Sequence, residues 1–76
     1  MSKKYVVTYP QRNHVYRNCY TLVEATSLAQ ARAIMLRAIG YEFAFIYENE
    51  EAAGVDRFNL IPVPLSSVQM FWSRPQ

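Results

Sequence analysis

The two side chains best suited to covalent or acid–base chemistry are the chain's single histidine, His14, and its single cysteine, Cys19. An imidazole within hydrogen-bond reach of a thiol could activate the sulfur as a nucleophile. The sequence predicts that both residues lie on one strand, five positions apart, where they point to opposite faces and stand ~16 Å from each other. We therefore expect no dyad. His14 is interpreted as an exposed hairpin residue and Cys19 as a small buried apolar one.

A metal or cofactor site is also not predicted. One histidine and one cysteine cannot supply the ligands of a zinc site. The acidic residues near the middle of the chain depart from the spacing of an EF-hand loop; they are Glu48, Glu50, Glu51 and Asp56. The two glycines, Gly40 and Gly54, are isolated and build no phosphate-binding loop. We expect a non-enzymatic protein with no catalytic residue, no metal and no cofactor.

The composition is typical of one small folded domain. Of the 76 residues, 51% are hydrophobic and 14% aromatic, which is enough for a core in a chain of this length. A single domain is predicted over residues 1–76, with an ordered core at about residues 4–72. The lone cysteine favours a reducing compartment, and no apolar run is long enough to span a bilayer. We expect a cytoplasmic protein without a membrane partner.

The pattern of elements predicts an α+β fold. Alternating apolar residues indicate strands at residues 4–9, 14–24, 42–48 and 55–63, and a helix follows the second strand. The predicted order is ββαββ, a two-layer domain with one helix packed on an antiparallel sheet and a short C-terminal extension. Pro62 and Pro64 have no N–H to donate, so the end of the last predicted strand should lie at a sheet edge or leave the sheet. Residues 66–72 fit either a short edge strand or a helical turn.

The helix has clear start and stop signals. Ser27 and Gln30 have the spacing of a capping box, and Gly40 fits the position after the last turn. The residues at helical spacing that should face the sheet are Leu28, Ala31, Met35, Ala38 and Ile39, with Ile34 on the flank. The outward face should consist of Ala29, Arg32, Ala33 and Leu36, with Arg37 beside them.

Protein binding is the function that these features favour. Residues 1–37 hold six basic residues and one acid, whereas residues 38–76 hold two basic residues and five acids, for a net charge of +2. The basic half could steer the domain to a charged partner. Arginine and tyrosine are common interface hot spots. The predicted partner-binding residues are Arg12, Tyr16, Arg17 and Tyr20 on the hairpin and Arg32, Leu36 and Arg37 on the helix.

Two alternatives follow from other features. The first hairpin could bind single-stranded nucleic acid, with tyrosines stacking on bases and basic side chains holding phosphates. The tyrosines concerned are Tyr5, Tyr9, Tyr16 and Tyr20, and the basic residues are Lys3, Lys4, Arg12 and Arg17. The chain could also form a homodimer through an edge strand or through the apolar segment Met70, Phe71 and Trp72.

Residues 24–34, which read E-A-T-S-L-A-Q-A-R-A-I, resemble a segment of small phage-encoded anti-CRISPR proteins that act on type I-F systems. The resembling segment reads E-A-A-S-L-S-Q-A-K-R-I and also joins a strand to a helix, and Arg32 stands where it has a lysine. The resemblance covers about a seventh of the chain and does not extend to residues 41–76. It implies a non-enzymatic inhibitor that binds Cas subunits of a surveillance complex and blocks hybridisation to target DNA.

Overall fold

The computed structural model describes the backbone of residues 2–73 and the side chains of residues 2–70. The elements are β1 (Lys3–Thr8), β2 (Cys19–Ala25), α1 (Leu28–Ile39), β3 (Phe45–Tyr47), α2 (Glu50–Ala53), β4 (Ile61–Pro62) and α3 (Leu65–Ser73). The strands form one sheet in the order β3-β1-β2-β4, and α1 and α3 pack together on one of its faces. This confirms the predicted two-layer α+β domain. Within residues 2–73, no helix is both long and apolar enough to cross a membrane.

The sheet is mixed rather than wholly antiparallel as predicted. β1 pairs antiparallel with both β2 and β3, but β4 runs parallel to β2. The reason is that the chain leaves β3 at one edge and crosses to the opposite edge through α2 and residues 54–59. Pro62 lies in the edge strand β4, as predicted, where its missing N–H removes no bond from the sheet interior.

The predicted strand at residues 14–24 starts five residues late, at Cys19. Asn13 accounts for the difference, because its side-chain oxygen accepts hydrogen bonds from the N–H groups of Val15 and Tyr16, both at 3.0 Å. The N–H of Arg17 then bonds to the carbonyl of Asn13 at 2.9 Å. An asparagine that bonds to the following backbone favours turns over strands. Residues 14–18 are therefore a series of turns.

The predicted strand at residues 55–63 was also wrong, apart from β4. Asn49 caps the short helix α2 by accepting a 2.7 Å bond from the N–H of Ala52, and Gly54 ends the helix with a φ of +77°. Asn59 has a φ of +53°, which interrupts any extended segment. The third strand is shortened to residues 45–47, and residues 66–72 belong to helix α3.

Helix α1 has the predicted caps. The hydroxyl of Ser27 accepts the N–H of Gln30 at 3.1 Å, and the Gln30 side chain returns to bond the backbone N–H and the hydroxyl of Thr26. Gly40 ends the helix with a φ of +68° and donates its N–H to the carbonyl of Leu36 at 2.9 Å. Each end thereby has one of its otherwise unpaired backbone groups bonded, the N–H of Gln30 and the carbonyl of Leu36.

Leu28 was predicted to face the sheet but is 48% exposed. The buried residues of α1 are Ala31, Met35 and Ile39. Leu28, seven residues before Met35, lies on the same side of the helix as these residues, but it is the first residue of α1 and stands at the end of the helix. The main core cluster does not include it.

Successive residues of β1 alternate between the two faces of the sheet. Tyr5, Val7 and Tyr9 are buried in the cluster under α1, whereas Val6 is buried on the opposite face with Tyr20 and Ala53. This second, smaller cluster exists because α2 lies against the far face of the sheet. It leaves the rest of that face accessible.

Candidate protein-binding surface

The predicted partner-binding arginines lie on different surfaces. Arg12 and Arg17 are exposed in the loop before β2, and Arg32 and Arg37 are exposed on α1. Arg17 lines a groove that β3 and the turn after α2 also border, whereas Arg37 lines a groove between α1 and α3. The two grooves share no lining residue among those that the structure describes. The structure therefore does not bring the hairpin and helix residues into one site.

The other predicted partner-binding residues are less accessible. Tyr20 is only 7% exposed, and its hydroxyl donates a 3.1 Å hydrogen bond to the carboxylate of Glu50 on α2. Tyr16 is half-buried with its ring 5.7 Å from that of Tyr9, and Leu36 is half-buried on α1. Tyr20 thus joins α2 to the sheet, which is a structural role.

The hairpin tyrosines do not form a stacking surface for bases. Tyr5, Tyr9 and Tyr20 are all buried, and only Tyr16 of the four is partly accessible. Burial raises the pKa of Tyr9 to about 12, although its hydrogen bond with the Thr21 hydroxyl acts in the opposite direction. Desolvation, followed by the bond to Glu50, also raises the pKa of Tyr20. The rings of Tyr5, Tyr9 and Tyr20 belong to the core and are not available to stack on bases.

Cys19 and His14 have surroundings that agree with their predicted roles. Cys19 is partly buried against the main core, and desolvation raises the pKa of its thiol, which keeps the sulfur protonated at neutral pH. His14 is exposed in the loop. Among residues 2–73, no three histidine, cysteine or acidic side chains gather closely enough to hold a metal ion.

The most distinctive surface is a groove of about 380 Å³ at the hairpin end of the sheet, which we call the aromatic groove. Four aromatic residues line it, namely Tyr9, Phe45 and Tyr47 of β3, and Phe58 of the turn after α2. The lining residues that the hairpin and its flanks contribute include Thr8, Gln11 and Arg17. Phe45 is 64% exposed and Phe58 is 63% exposed.

The position of Phe45 follows from the register of the sheet. Thr8 pairs with Phe45 and Val6 pairs with Tyr47, so both aromatic residues lie on the face opposite α1. The Thr8 hydroxyl donates a 3.4 Å bond to the Phe45 carbonyl. The rings of Phe45 and Tyr47 are 6.2 Å apart and tilted by 51°, a favourable arrangement for an aromatic pair. Pairing with β1 and contact with Tyr47 together hold Phe45.

Phe58 is held by a different set of contacts. Its N–H donates a 2.8 Å bond to the carbonyl of Gly54, and a Cβ atom at Gly54 would lie 2.7 Å from two carbons of the Phe58 ring. The ring therefore occupies space that only glycine leaves open. On its other side the Arg57 guanidinium lies 5.9 Å from the ring centroid, within range of a cation–π contact. Phe58 is thus exposed and yet positioned.

Sequence reasoning missed both phenylalanines, because it assigned them to strands that pack on the core. Three residues could have indicated the position of Phe58. Asn49 and Gly54 cap the two ends of α2, and Asn59 favours a turn. The exposure of Phe45 depends on its pairing with Thr8, which is far away in sequence.

No protein-family model, curated protein or solved structure matches this chain.

Proposed function

We propose that this chain is a non-enzymatic binding protein, a phage-type inhibitor that binds a protein or ribonucleoprotein such as a CRISPR–Cas surveillance complex and blocks its binding to nucleic acid. The observation that carries the proposal is the pair Phe45 and Phe58, which are largely exposed although each is held by specific contacts.

An exposed aromatic ring is unfavourable in water unless something covers it, and its burial by a partner supplies much of the energy of association. Ordering flexible side chains opposes binding by about 0.5–1.5 kcal/mol each. The Phe58 ring avoids much of that cost because Gly54 and Arg57 already position it. Aromatic and arginine side chains in a concave site are the usual composition of a binding hot spot. The aromatic groove, with Arg17 in its lining, has this composition.

The local resemblance to type I-F anti-CRISPR proteins supports the choice of a Cas complex as the first partner to test. The resembling residues have structural roles in this chain: Ser27 and Gln30 cap α1, and Ala25 and Ala31 are buried. What the segments share is therefore a strand-to-helix junction. Phe45 and Phe58 lie outside residues 24–34, so the resemblance does not extend to the proposed binding surface.

The experiment is a titration of the fluorescently labelled chain with a purified type I-F surveillance complex, followed by a measurement of target-DNA hybridisation. We expect stoichiometric binding and loss of hybridisation. The double variant Phe45→Ala/Phe58→Ala should weaken both by more than about tenfold, since hot-spot truncations cost about 2 kcal/mol or more.

Tyr41→Ala/Met70→Ala is the matched control, because these side chains are also apolar and exposed but do not line the aromatic groove. It should bind like the unmodified chain. Absence of binding at ~10 µM complex would exclude this partner. Equal affinities of the two double variants for the complex would exclude the aromatic groove as the binding surface.

A further inference from the structure

We infer that the aromatic groove takes a segment of a partner protein in which a large aromatic or aliphatic side chain stands beside a carboxylate. The apolar side chain inserts between Phe45 and Phe58, and the carboxylate pairs with Arg17. The inference rests on the proposed function and adds to it the chemistry of the partner at the same site.

The size of the groove suits a side chain or two rather than a folded element. Its volume of about 380 Å³ lies near the lower end of the roughly 300–1,000 Å³ found for ligand pockets. Of its four aromatic residues, Phe45 and Phe58 are largely exposed and present ring surface to whatever enters. An inserted aromatic side chain could take offset or edge-to-face positions against those rings, which adds to the energy of burial.

Arg17 determines the charge of the preferred segment. Among the described residues, it alone lines the aromatic groove with a charged side chain. Among the described residues, the observed ion pair joins Lys3 to Glu48. None of the described carboxylates pairs with Arg17. A partner that covered the groove would desolvate this guanidinium, which is costly unless the partner supplies an acceptor. A carboxylate is the natural acceptor because it can receive two parallel N–H bonds from arginine.

The charges on the elements that border the aromatic groove argue against a nucleic acid in the same place; α2 contributes Ala53 to its lining and the following turn contributes Phe58. Helix α2 and the turn after it contain Glu50, Glu51 and Asp56, and the one basic residue there, Arg57, lies over the Phe58 ring. A strand of nucleic acid that reached from Arg17 to Phe58 would bring successive phosphates towards these acids and be repelled. A protein segment can instead place one acid beside Arg17 and a neutral or basic residue near α2. Charge complementarity therefore favours a protein segment.

The test uses the full chain and defined peptides in a titration followed by nuclear magnetic resonance of backbone amides. The first peptide, G-S-E-W-S-S-G, contains the inferred chemistry of one carboxylate beside a large apolar side chain. G-S-K-W-S-S-G reverses the charge and G-S-E-A-S-S-G removes the apolar side chain. We expect the first peptide to shift the amides of Arg17, Phe45 and Phe58 and to bind about tenfold more tightly than either of the others, as a charge-assisted pair would give.

The charge swap identifies Arg17 as the selecting residue. Arg17→Glu should reverse the preference between the glutamate and lysine peptides, whereas Arg12→Glu should not, because Arg12 is an exposed arginine of the same loop that does not line the groove. Circular dichroism of both variants controls for folding. Equal binding of the two charged peptides, no shift at ~1 mM peptide, or an unchanged preference in Arg17→Glu would each overturn the inference.

A short oligothymidylate at ~50 mM salt is the nucleic-acid arm of the test. It should leave the amides of Phe45 and Phe58 unshifted, and salt-sensitive shifts at these positions would overturn the inference in favour of a nucleic-acid ligand. Failure here is distinguishable from failure of the proposed function. If the peptides do not bind but Phe45→Ala/Phe58→Ala weakens binding to the surveillance complex, the proposed function stands and the inference fails. If the peptides bind but the surveillance complex does not, the inference about the groove stands and the proposed function fails.

Discussion

The Phe58 ring lies against the backbone of Gly54 so closely that a Cβ atom there would be 2.7 Å from two ring carbons. Gly54 also has a φ of +77°, which side-chain-bearing residues adopt at a cost. Gly54→Ala should therefore lower the free energy of unfolding by about 1 kcal/mol or more and displace the Phe58 ring. Chemical denaturation measures the first effect, and affinity for the partner should fall with the second.

Gly40→Ala separates these two effects. Gly40 has a similar φ of +68°, but a Cβ atom there would meet no described heavy atom within 4 Å beyond its immediate chain neighbours. This variant should lose stability from backbone strain alone and keep its affinity. Equal losses of affinity in both glycine variants would mean that the position of Phe58 does not matter for binding.

Tyr9 should make the protein less stable at high pH. Its pKa is raised to about 12 in the folded chain because the ring is buried, whereas an unfolded tyrosine titrates near 10. The folded state therefore holds the proton more tightly, and its stability is fully present below about pH 10 and falls as the pH rises through about 12. Tyr20, whose pKa is raised too, contributes a loss in the same direction.

Tyr9→Phe provides the check on that interpretation. It removes the hydrogen bond to the buried hydroxyl of Thr21, which should cost about 1 kcal/mol at neutral pH. It should also make the fall in stability above about pH 10 shallower than in the unmodified chain. Urea denaturation at neutral and alkaline pH gives both quantities. A fall of unchanged steepness would show that other groups cause it.

Leu28 and Met35 should respond very differently to truncation, although both were predicted to be in the core. Met35→Ala should lower the free energy of unfolding by roughly 2–5 kcal/mol, because the side chain is fully buried under α1 and its removal leaves a cavity. Leu28→Ala should change it by less than about 1 kcal/mol, since the side chain is 48% exposed. Thermal melts of the two variants would decide. Similar losses would contradict the observed exposure of Leu28.

The parts of the fold that were predicted correctly depend on neighbours in sequence. The cap at Ser27 and Gln30 and the alternation of Tyr5, Val7 and Tyr9 require only local spacing. The parallel strand β4 could not be predicted in this way, because residues 55–63 have the apolar alternation of a strand. Asn59, with its positive φ, breaks that segment, and its residue type was the available signal.

The candidate site was harder to predict than the fold, for a physical reason. Exposure is a property of the assembled molecule, so an aromatic residue in a strand is assigned to the core unless its neighbours across the sheet are known. Phe45 is exposed because α1 covers the other face of the sheet and α2 covers only part of this one. The segment Met70 to Trp72 was predicted as a possible dimer contact. Met70 is exposed, and the side chains of Phe71 and Trp72 lie outside the described residues.

The arginines provide the last prediction, which separates the two surfaces. Arg32 and Arg37 are exposed on α1, away from the aromatic groove, and each charge reversal should change stability by no more than about 0.5 kcal/mol. If the aromatic groove is the interface, Arg32→Glu/Arg37→Glu should bind the partner normally, whereas Arg17→Glu should weaken binding because it places a negative charge where the partner's carboxylate sits. Matched binding titrations and thermal melts measure both effects. Loss of binding in the helix variant with Arg17→Glu unaffected would instead place the interface on the outer face of α1, with Leu36 at its centre.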